Sequence, residues 1–195
     1  MKKINKIKRE KRKVYRQNTI DDFAGAYLYV LLPKMNWREL FPNIVPRWYA
    51  GKTTQIQKRL NEHNYDASKS NVRRTLKLNL HEAFDVCVLD LTPLKIGYKK
   101  SSKKIIQNGL EVSFDKILRA LEKYMREFIS SDMDFMNLTI KDRFEYLGYQ
   151  ASDISTQIEE QNNKNYFPDE KELELCRLFF DWVEDWSKFS FFTLQ

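Results

Sequence analysis

The sequence predicts an α+β domain in which a small β-sheet is flanked by helices. Three short segments rich in β-branched and aromatic residues predict strands, and four segments with apolar residues at helical spacing predict helices. The chain has 195 residues, of which 42% are hydrophobic and 31% are charged. This length and composition fit one globular core with appendages and exclude a collagen-like or linker-dominated chain.

The predicted strands are short, and turn-forming residues end the first two. The first strand spans 26–32 and ends at Pro33, and the second spans 48–50 and ends at Gly51. The segment 84–91 has the apolar and β-branched content of a central strand.

The strongest helix pattern lies in the middle of the chain, over 113–129. Shorter patterns predict helices over 54–64 and 70–80, and a last amphipathic helix over 169–189. The apolar face of this last helix predicts packing onto the domain, with self-association into a homodimer as the alternative. The stripe of the 113–129 helix consists of Phe114, Ile117, Leu118, Leu121, Met125 and Phe128.

Composition divides the chain into three parts. Residues 1–22 form a basic N-terminal arm, residues 23–149 form the central domain, and residues 150–195 form an acidic helical extension. Two insertions are predicted within the central domain, over 33–46 and 92–110. The second insertion contains five lysines and is predicted to be a mobile loop, either a solvated surface loop or a contact with nucleic acid.

Charge is separated along the sequence. Residues 1–16 hold nine Lys or Arg and one Glu and carry +8, whereas the whole chain carries +7. Separated positive charge favours a polyanionic partner, because Lys and Arg at phosphates release condensed counterions. A lysine-rich terminus that only improves solubility is the alternative. The residues predicted to contact DNA are Lys11, Arg12, Lys13, Arg73, Arg74, Lys99, Lys100, Lys103 and Lys104.

Apolar runs and cysteines bear on the cellular compartment. No run approaches the 18 or so apolar residues that span a bilayer, so no membrane segment is expected. Cys87 and Cys176 fall inside apolar runs and are too few for a disulfide framework. We therefore expect two reduced core cysteines in a cytoplasmic protein.

Five chemically useful side chains lie in the first half of the central domain. Tyr27 and Tyr49 belong to two predicted strands that can pair, and Lys52 follows the second. Arg59 and His63 lie four residues apart, on one face of the next predicted helix. Arginine and lysine suit phosphate oxygens and can stabilise negative charge on a phosphodiester. The set predicts phosphate chemistry.

The pattern GAY … WYAGKTTQIQKRLNEH resembles the GIY-YIG nuclease superfamily, over residues 25–137. The resemblance implies a three-stranded antiparallel sheet flanked by helices and one divalent metal ion. It implies that Tyr27 and Tyr49 fill the two tyrosine positions, and that Lys52 is similar to the lysine of the UvrC-like subgroup. Arg59 and His63 fill the helix positions.

The resemblance also implies a helical glutamate that anchors the metal, followed by an asparagine, and Glu122 and Asn137 match them. Helical geometry supports Glu122 independently. At about 100° per residue, its side chain lies roughly 90° from the centre of the apolar stripe. It is therefore expected at the border of core and solvent, where a carboxylate can hold hydrated Mg²⁺.

These expectations combine into a hypothesis of Mg²⁺-dependent DNA hydrolysis by a restriction-type or phage-encoded endonuclease. Tyr27 is the preferred proton acceptor, and Tyr49 orients the water or shares that task. Arg59 stabilises the pentacovalent phosphate, and His63 positions a phosphate or assists the water. Asn137 forms a hydrogen bond within the site. The alternatives are a catalytically inactive nucleic-acid-binding protein with the same fold, and a repair or RNA-directed nickase.

Overall fold

The computed structural model of the protein describes residues 25–91, 98–99, 103–131, 167–177 and 179–192. The arm predicted over 1–22, and Asn137, lie outside the described residues. In chain order the elements are β1 Tyr27–Pro33, α1 Trp37–Leu40, β2 Tyr49–Thr53, α2 Ile56–Tyr65, α3 Asn71–Leu76, α4 Leu80–Ala83, β3 Phe84–Asp90, β4 Tyr98–Lys99, β5 Lys104–Gln107, β6 Leu110–Ser113, α5 Phe114–Ser131, α6 Glu170–Arg177, α7 Phe180–Glu184, a 3₁₀ turn Trp186–Lys188 and β7 Phe189–Phe192.

The main sheet is antiparallel and has four strands in the order β2-β1-β3-β7. The predicted α+β class is confirmed, but the sheet has four strands where three were expected. The fourth strand is Phe189–Phe192, whose first residue had been assigned to the end of a helix over 169–189. Its aromatic residues pair with the apolar central strand β3, and this long-range pairing overrides local helix periodicity.

Strand β1 is buried along its whole length because helices cover both faces of the sheet. Leu28 and Val30 face the cluster formed with α5, α6 and α7, whereas Tyr29 and Leu31 face the cluster formed with α2, α3 and α4. Alternate residues of a strand point to opposite faces, so the near-continuous apolar run follows from burial on both sides. The sheet therefore lies between two helical layers.

The acidic C-terminal part folds into the same core as the central domain. Two helices and a 3₁₀ turn replace the single predicted helix, and Leu175, Cys176 and Val183 are buried in the cluster that contains the α5 stripe. The ring of Phe180 stacks on Tyr124 of α5, with ring centroids 3.9 Å apart. The apolar face considered for a homodimer is thus used within the chain, as its packing interpretation predicted.

The basic segment predicted as a loop over 92–110 contains regular structure where it is described. Strands β5 and β6 form a hairpin joined by Asn108 and Gly109, which have φ of 51° and 77°. An Asn-Gly pair is favoured in such two-residue turns because both positions require positive φ. The loop prediction is therefore wrong at Tyr98–Lys99 and from Lys104 onward. Strand β4 adds to β5 and gives a second sheet of three strands.

Two other helical segments depart slightly from expectation. The pattern over 70–80 yields the two short helices α3 and α4, because Lys77 adopts the left-handed conformation that ends α3. The insertion over 33–46 contains α1, which buries Trp37. In the part of the chain that the structure describes, no helix is long and apolar enough to cross a membrane.

Candidate active site

Two tyrosines, a histidine and an arginine meet on the α2 side of the sheet. Tyr29 of β1 lies 6.1 Å from Tyr49 of β2 between ring centroids, and the His63 ring lies 5.7 and 5.5 Å from the two phenols. The register places Tyr29 opposite Gly51. A Cβ atom at residue 51 would overlap the Tyr29 phenol, so the close approach of these strands requires glycine there.

The Tyr29 hydroxyl is held by two nitrogen atoms of helix α2. His63 Nε2 lies 2.7 Å from the oxygen, and Arg59 Nε donates to it at 3.2 Å. The other ring nitrogen, His63 Nδ1, lies 2.6 Å from the Ser70 hydroxyl oxygen. Ser70 is also the N-cap of α3, where its oxygen accepts a hydrogen bond from the Arg73 backbone N–H.

This geometry assigns the tautomer of His63. Within the described part of the chain, the acceptor in reach of the Ser70 hydroxyl proton is His63 Nδ1. His63 therefore carries its proton on Nε2 and donates it to Tyr29. Burial, and then the Arg59 charge, lower the pKa of His63 to about 3, so the ring is neutral at physiological pH. The Tyr29 oxygen thus accepts two N–H donors.

Both phenols are shifted away from ionisation. Burial raises the pKa of Tyr29 well above its usual value, the neighbouring Tyr49 raises it further, and Arg59 offsets part of this. Burial also raises the pKa of Tyr49, followed by the charge of Glu122, while hydrogen bonding with Arg59 and Tyr29 lowers it. Tyr49 is partly exposed whereas Tyr29 is completely buried.

Tyr29, and not Tyr27, occupies the position expected for the first tyrosine. Tyr27 lies on the same face but opposite Thr53, whereas Tyr49 lies opposite Leu31. Tyr27 and Leu31 are four residues of extended chain apart, so Tyr27 and Tyr49 are separated by about 13 Å along the strands. The Tyr27 ring packs over Gly25 and is 5% exposed. Residues two positions apart lie on the same face of a strand, so the Tyr-Leu-Tyr pattern was compatible with either tyrosine in the site.

Lys52 lies on the opposite face of β2 from Tyr49, because the two residues are three positions apart on a strand. Its ammonium group forms an ion pair with Asp115 in the first turn of α5. Arg119 donates to the same carboxylate at 3.1 Å. The structure thus separates Lys52 from the phenols and joins it to helix α5, contrary to the expected convergence.

Glu122 lies on the same helix face as Asp115 and Arg119, since residues at i, i+4 and i+7 of a helix are neighbours. Helix α5 packs against β2, and the Glu122 charge acts on both Tyr49 and Tyr29. Glu122 is partly exposed, as its position relative to the apolar stripe predicted. The predicted carboxylate therefore interacts electrostatically with both phenols.

The donor set fits a hydrated magnesium ion. No group of three or more His, Cys, Asp or Glu side chains that could hold a metal occurs among the described residues. Mg²⁺ keeps several water ligands and often binds through one or two carboxylates plus substrate phosphate. Glu122, whose charge acts on both phenols, would suit such an ion.

Arg59 is fixed from two sides. Its Nη1 donates to Glu62 Oε2 at 3.1 Å and to the backbone oxygen of Lys69 at 3.0 Å. The pattern of the sequence indicated Arg59 and His63 but missed Ser70, Glu62 and Tyr29. A serine that caps a short helix is a recognisable signal for Ser70, but its contact with His63 depends on how α2 and α3 pack.

The predicted DNA-contacting residues have different surroundings. Arg73 donates to the backbone oxygen of Asn64 and to the side chain of Asn79, which makes it a brace between α2 and α4. Arg74 is exposed and bonds Asn71 within its own helix. Lys103 is exposed, and Lys104 pairs with Glu111 at 3.2 Å. The remaining members fall outside the described residues or side chains: Lys11, Arg12, Lys13, Lys99 and Lys100.

Comparison of the chain with protein-family models, with curated proteins and with solved structures finds no match.

Proposed function

We propose that this protein is a metal-dependent DNA endonuclease with a GIY-YIG-like active site. The observation that carries the proposal is the meeting of the two phenols Tyr29 and Tyr49 with a neutral histidine and a guanidinium, together with a helical carboxylate whose charge acts on both phenols. These groups come from β1, β2, α2 and α5, so the fold assembles them from distant parts of the sequence. We retain a restriction-type or phage-encoded enzyme as the proposed class.

The hydrogen bonds indicate which of the two phenols accepts the proton in the proposed reaction. The Tyr29 oxygen accepts from His63 and Arg59, so both of its lone pairs are used and its own proton is available for donation. The neighbouring acceptor is Tyr49, whose hydroxyl interacts with both Tyr29 and Arg59. A negative charge on Tyr49 would thus be stabilised by an O–H and by a guanidinium. We therefore assign the role of proton acceptor for the attacking water to Tyr49.

Arg59 and Glu122 act on the phosphate side of the reaction. The Arg59 side chain is 24% exposed and forms an ion pair with Glu62. The ion pair fixes the guanidinium group, and part of that group remains accessible to a substrate. It stabilises the charge that develops on the phosphorane oxygens. Glu122 would hold Mg²⁺, which when bound supplies positive charge that favours ionisation of water and departure of the 3′ oxygen. His63 stays neutral and keeps the Tyr29 hydroxyl in place.

The experiment is cleavage of supercoiled plasmid by the full chain with Mg²⁺ and with a chelator. Glu122→Gln preserves shape but removes the charge, and Glu127→Gln on the exposed side of the same helix is its control. Tyr49→Phe is compared with Tyr65→Phe, since Tyr65 is 57% exposed on α2. We expect Glu122→Gln and Tyr49→Phe each to slow cleavage by about 100-fold or more, and the controls to cleave normally. Wild-type rates in Glu122→Gln would refute the metal assignment.

A nucleic-acid-binding protein that does not cleave is the second candidate. The raised pKa values of both phenols favour it, because a neutral phenol is a poor proton acceptor. Tight binding to duplex DNA without cleavage, with Mg²⁺ or Mn²⁺ present, would support this candidate over the nuclease.

A further inference from the structure

The hairpin formed by β5 and β6 has one face in the core and one face in solvent. Ile105 and Val112 are paired across the strands and are buried in the cluster that contains α5. The next pair, Ile106 and Glu111, points the opposite way, and the Ile106 side chain is 41% exposed. Asn108 is exposed at the turn. Strand β4 pairs with Lys104 and Ile105 at the base, and the described residues beyond them continue as a two-stranded ribbon anchored by its inner face.

The base of this hairpin is bonded to the segment that carries the candidate site. The Phe114 backbone N–H, at the start of α5, donates to the Lys103 oxygen at 3.0 Å. The next residue, Asp115, pairs with Lys52 of β2. Three residues before Lys52 lies Tyr49. The hairpin is therefore connected through the start of α5 to the strand that carries Tyr49.

We propose that this hairpin enters the major groove of the DNA substrate and reads base edges near the cleaved phosphate. The inference rests on the proposed function and deepens it, because it assigns duplex DNA as the substrate and a segment that selects the sequence. A two-stranded ribbon fits the major groove, which is about 12 Å wide. The outer face and the turn present Ile106, Asn108 and the ion pair of Lys104 with Glu111. Lysine can donate to guanine, an apolar side chain can contact the thymine methyl, and asparagine can pair with adenine.

Charge and distance favour DNA over a protein partner. Lys103 is exposed at the base of the hairpin. Lys52 and Arg119 both pair with the carboxylate of Asp115, which leaves a net charge of +1 for these three side chains on the way to the site. From Phe114 to Glu122 the helix rises about 12 Å. The hairpin adds about 13 Å beyond its base. Its turn is thus within about one helical turn of DNA, about 34 Å, from the carboxylate.

The test measures DNA binding and cleavage separately. The full chain with Glu122→Gln, which we expect to bind without cutting, is used to select bound duplexes from a randomised pool, and the selected duplexes are sequenced. The hairpin variant carries Ile106→Thr and Asn108→Gly, which keep β-propensity and tolerance of positive φ. Leu173→Thr, at a 37%-exposed residue of α6, is the control.

We expect a sequence preference in the parent that the hairpin variant loses, with about 5- to 150-fold weaker binding to the preferred duplex. The control should keep both. Equal preference in parent and variant, or no preference in the parent, would overturn the proposal. A change of oligomeric state in the hairpin variant would also overturn it, since the hairpin would then bind protein. Selective binding by a chain whose wild-type form never cuts would refute the nuclease and leave the hairpin proposal standing.

Discussion

Replacing Gly51 by alanine tests how tightly the two central strands hold the Tyr29 phenol. A Cβ atom at residue 51 would overlap the hydroxyl oxygen and two ring carbons of Tyr29. The phenol is completely buried and is held at 2.7 Å from His63 and 3.2 Å from Arg59, so it can move only by breaking these bonds. Overpacking of this kind costs about 1–3 kcal/mol. Urea unfolding of Gly51→Ala should show that loss.

The same substitution in a second variant tests whether contact with the Tyr29 phenol causes this cost. In a Tyr29→Leu chain the shorter side chain leaves room for the new methyl group. Gly51→Ala should then cost less than in the wild type, with a coupling free energy of about 0.5–3 kcal/mol in the double-mutant cycle. An equal cost in both backgrounds would show that the methyl group meets something other than the phenol, and the packing described here would be incorrect.

Three further predictions concern His63 and its hydrogen bonds. Because the pKa of His63 is lowered to about 3 in the folded protein, the unfolded state binds its proton more readily, and stability should fall as pH drops from about 6.5 toward 3, by up to about 4–5 kcal/mol from this group. His63→Gln cannot titrate, so its stability measured by urea unfolding should fall less over that pH range. An identical fall would mean that His63 is not buried as described. Ser70→Ala removes both the α3 cap and the donor to Nδ1, so it should cost about 1–2 kcal/mol. Nitrogen NMR of the wild type should show the proton of His63 on Nε2, and a proton on Nδ1 would contradict the assigned network.

The sequence predicted the elements best where local and tertiary preferences agree. The apolar stripe of 113–129 gave α5, and the β-branched run gave β3. It failed at Phe189–Phe192, because aromatic residues suit both an amphipathic helix and a strand, and the pairing with β3 decides between them. The hairpin turn at Asn108-Gly109 was readable, but the surrounding lysines favoured a loop interpretation.

The sequence predicted the residue types of the candidate site well, but it predicted less well which positions supply them. Arg59 and His63 contact Tyr29, and the charge of Glu122 acts on both phenols. Tyr27 and Tyr29 share a face of one strand, so only the register with β2 distinguishes them. The separation of Lys52 from Tyr49 could have been read from strand alternation alone. Ser70 required knowledge of how two helices pack, which depends on long-range contacts.

The most direct test of the account is the single-turnover rate of plasmid cleavage by Tyr49→Phe in Mg²⁺, measured beside Tyr65→Phe. The account predicts that the wild type and Tyr65→Phe cut the plasmid and that loss of the Tyr49 hydroxyl alone slows the cut by about 100-fold or more. Cleavage by Tyr49→Phe at the wild-type rate would contradict the assignment of the phenol pair as the reaction centre.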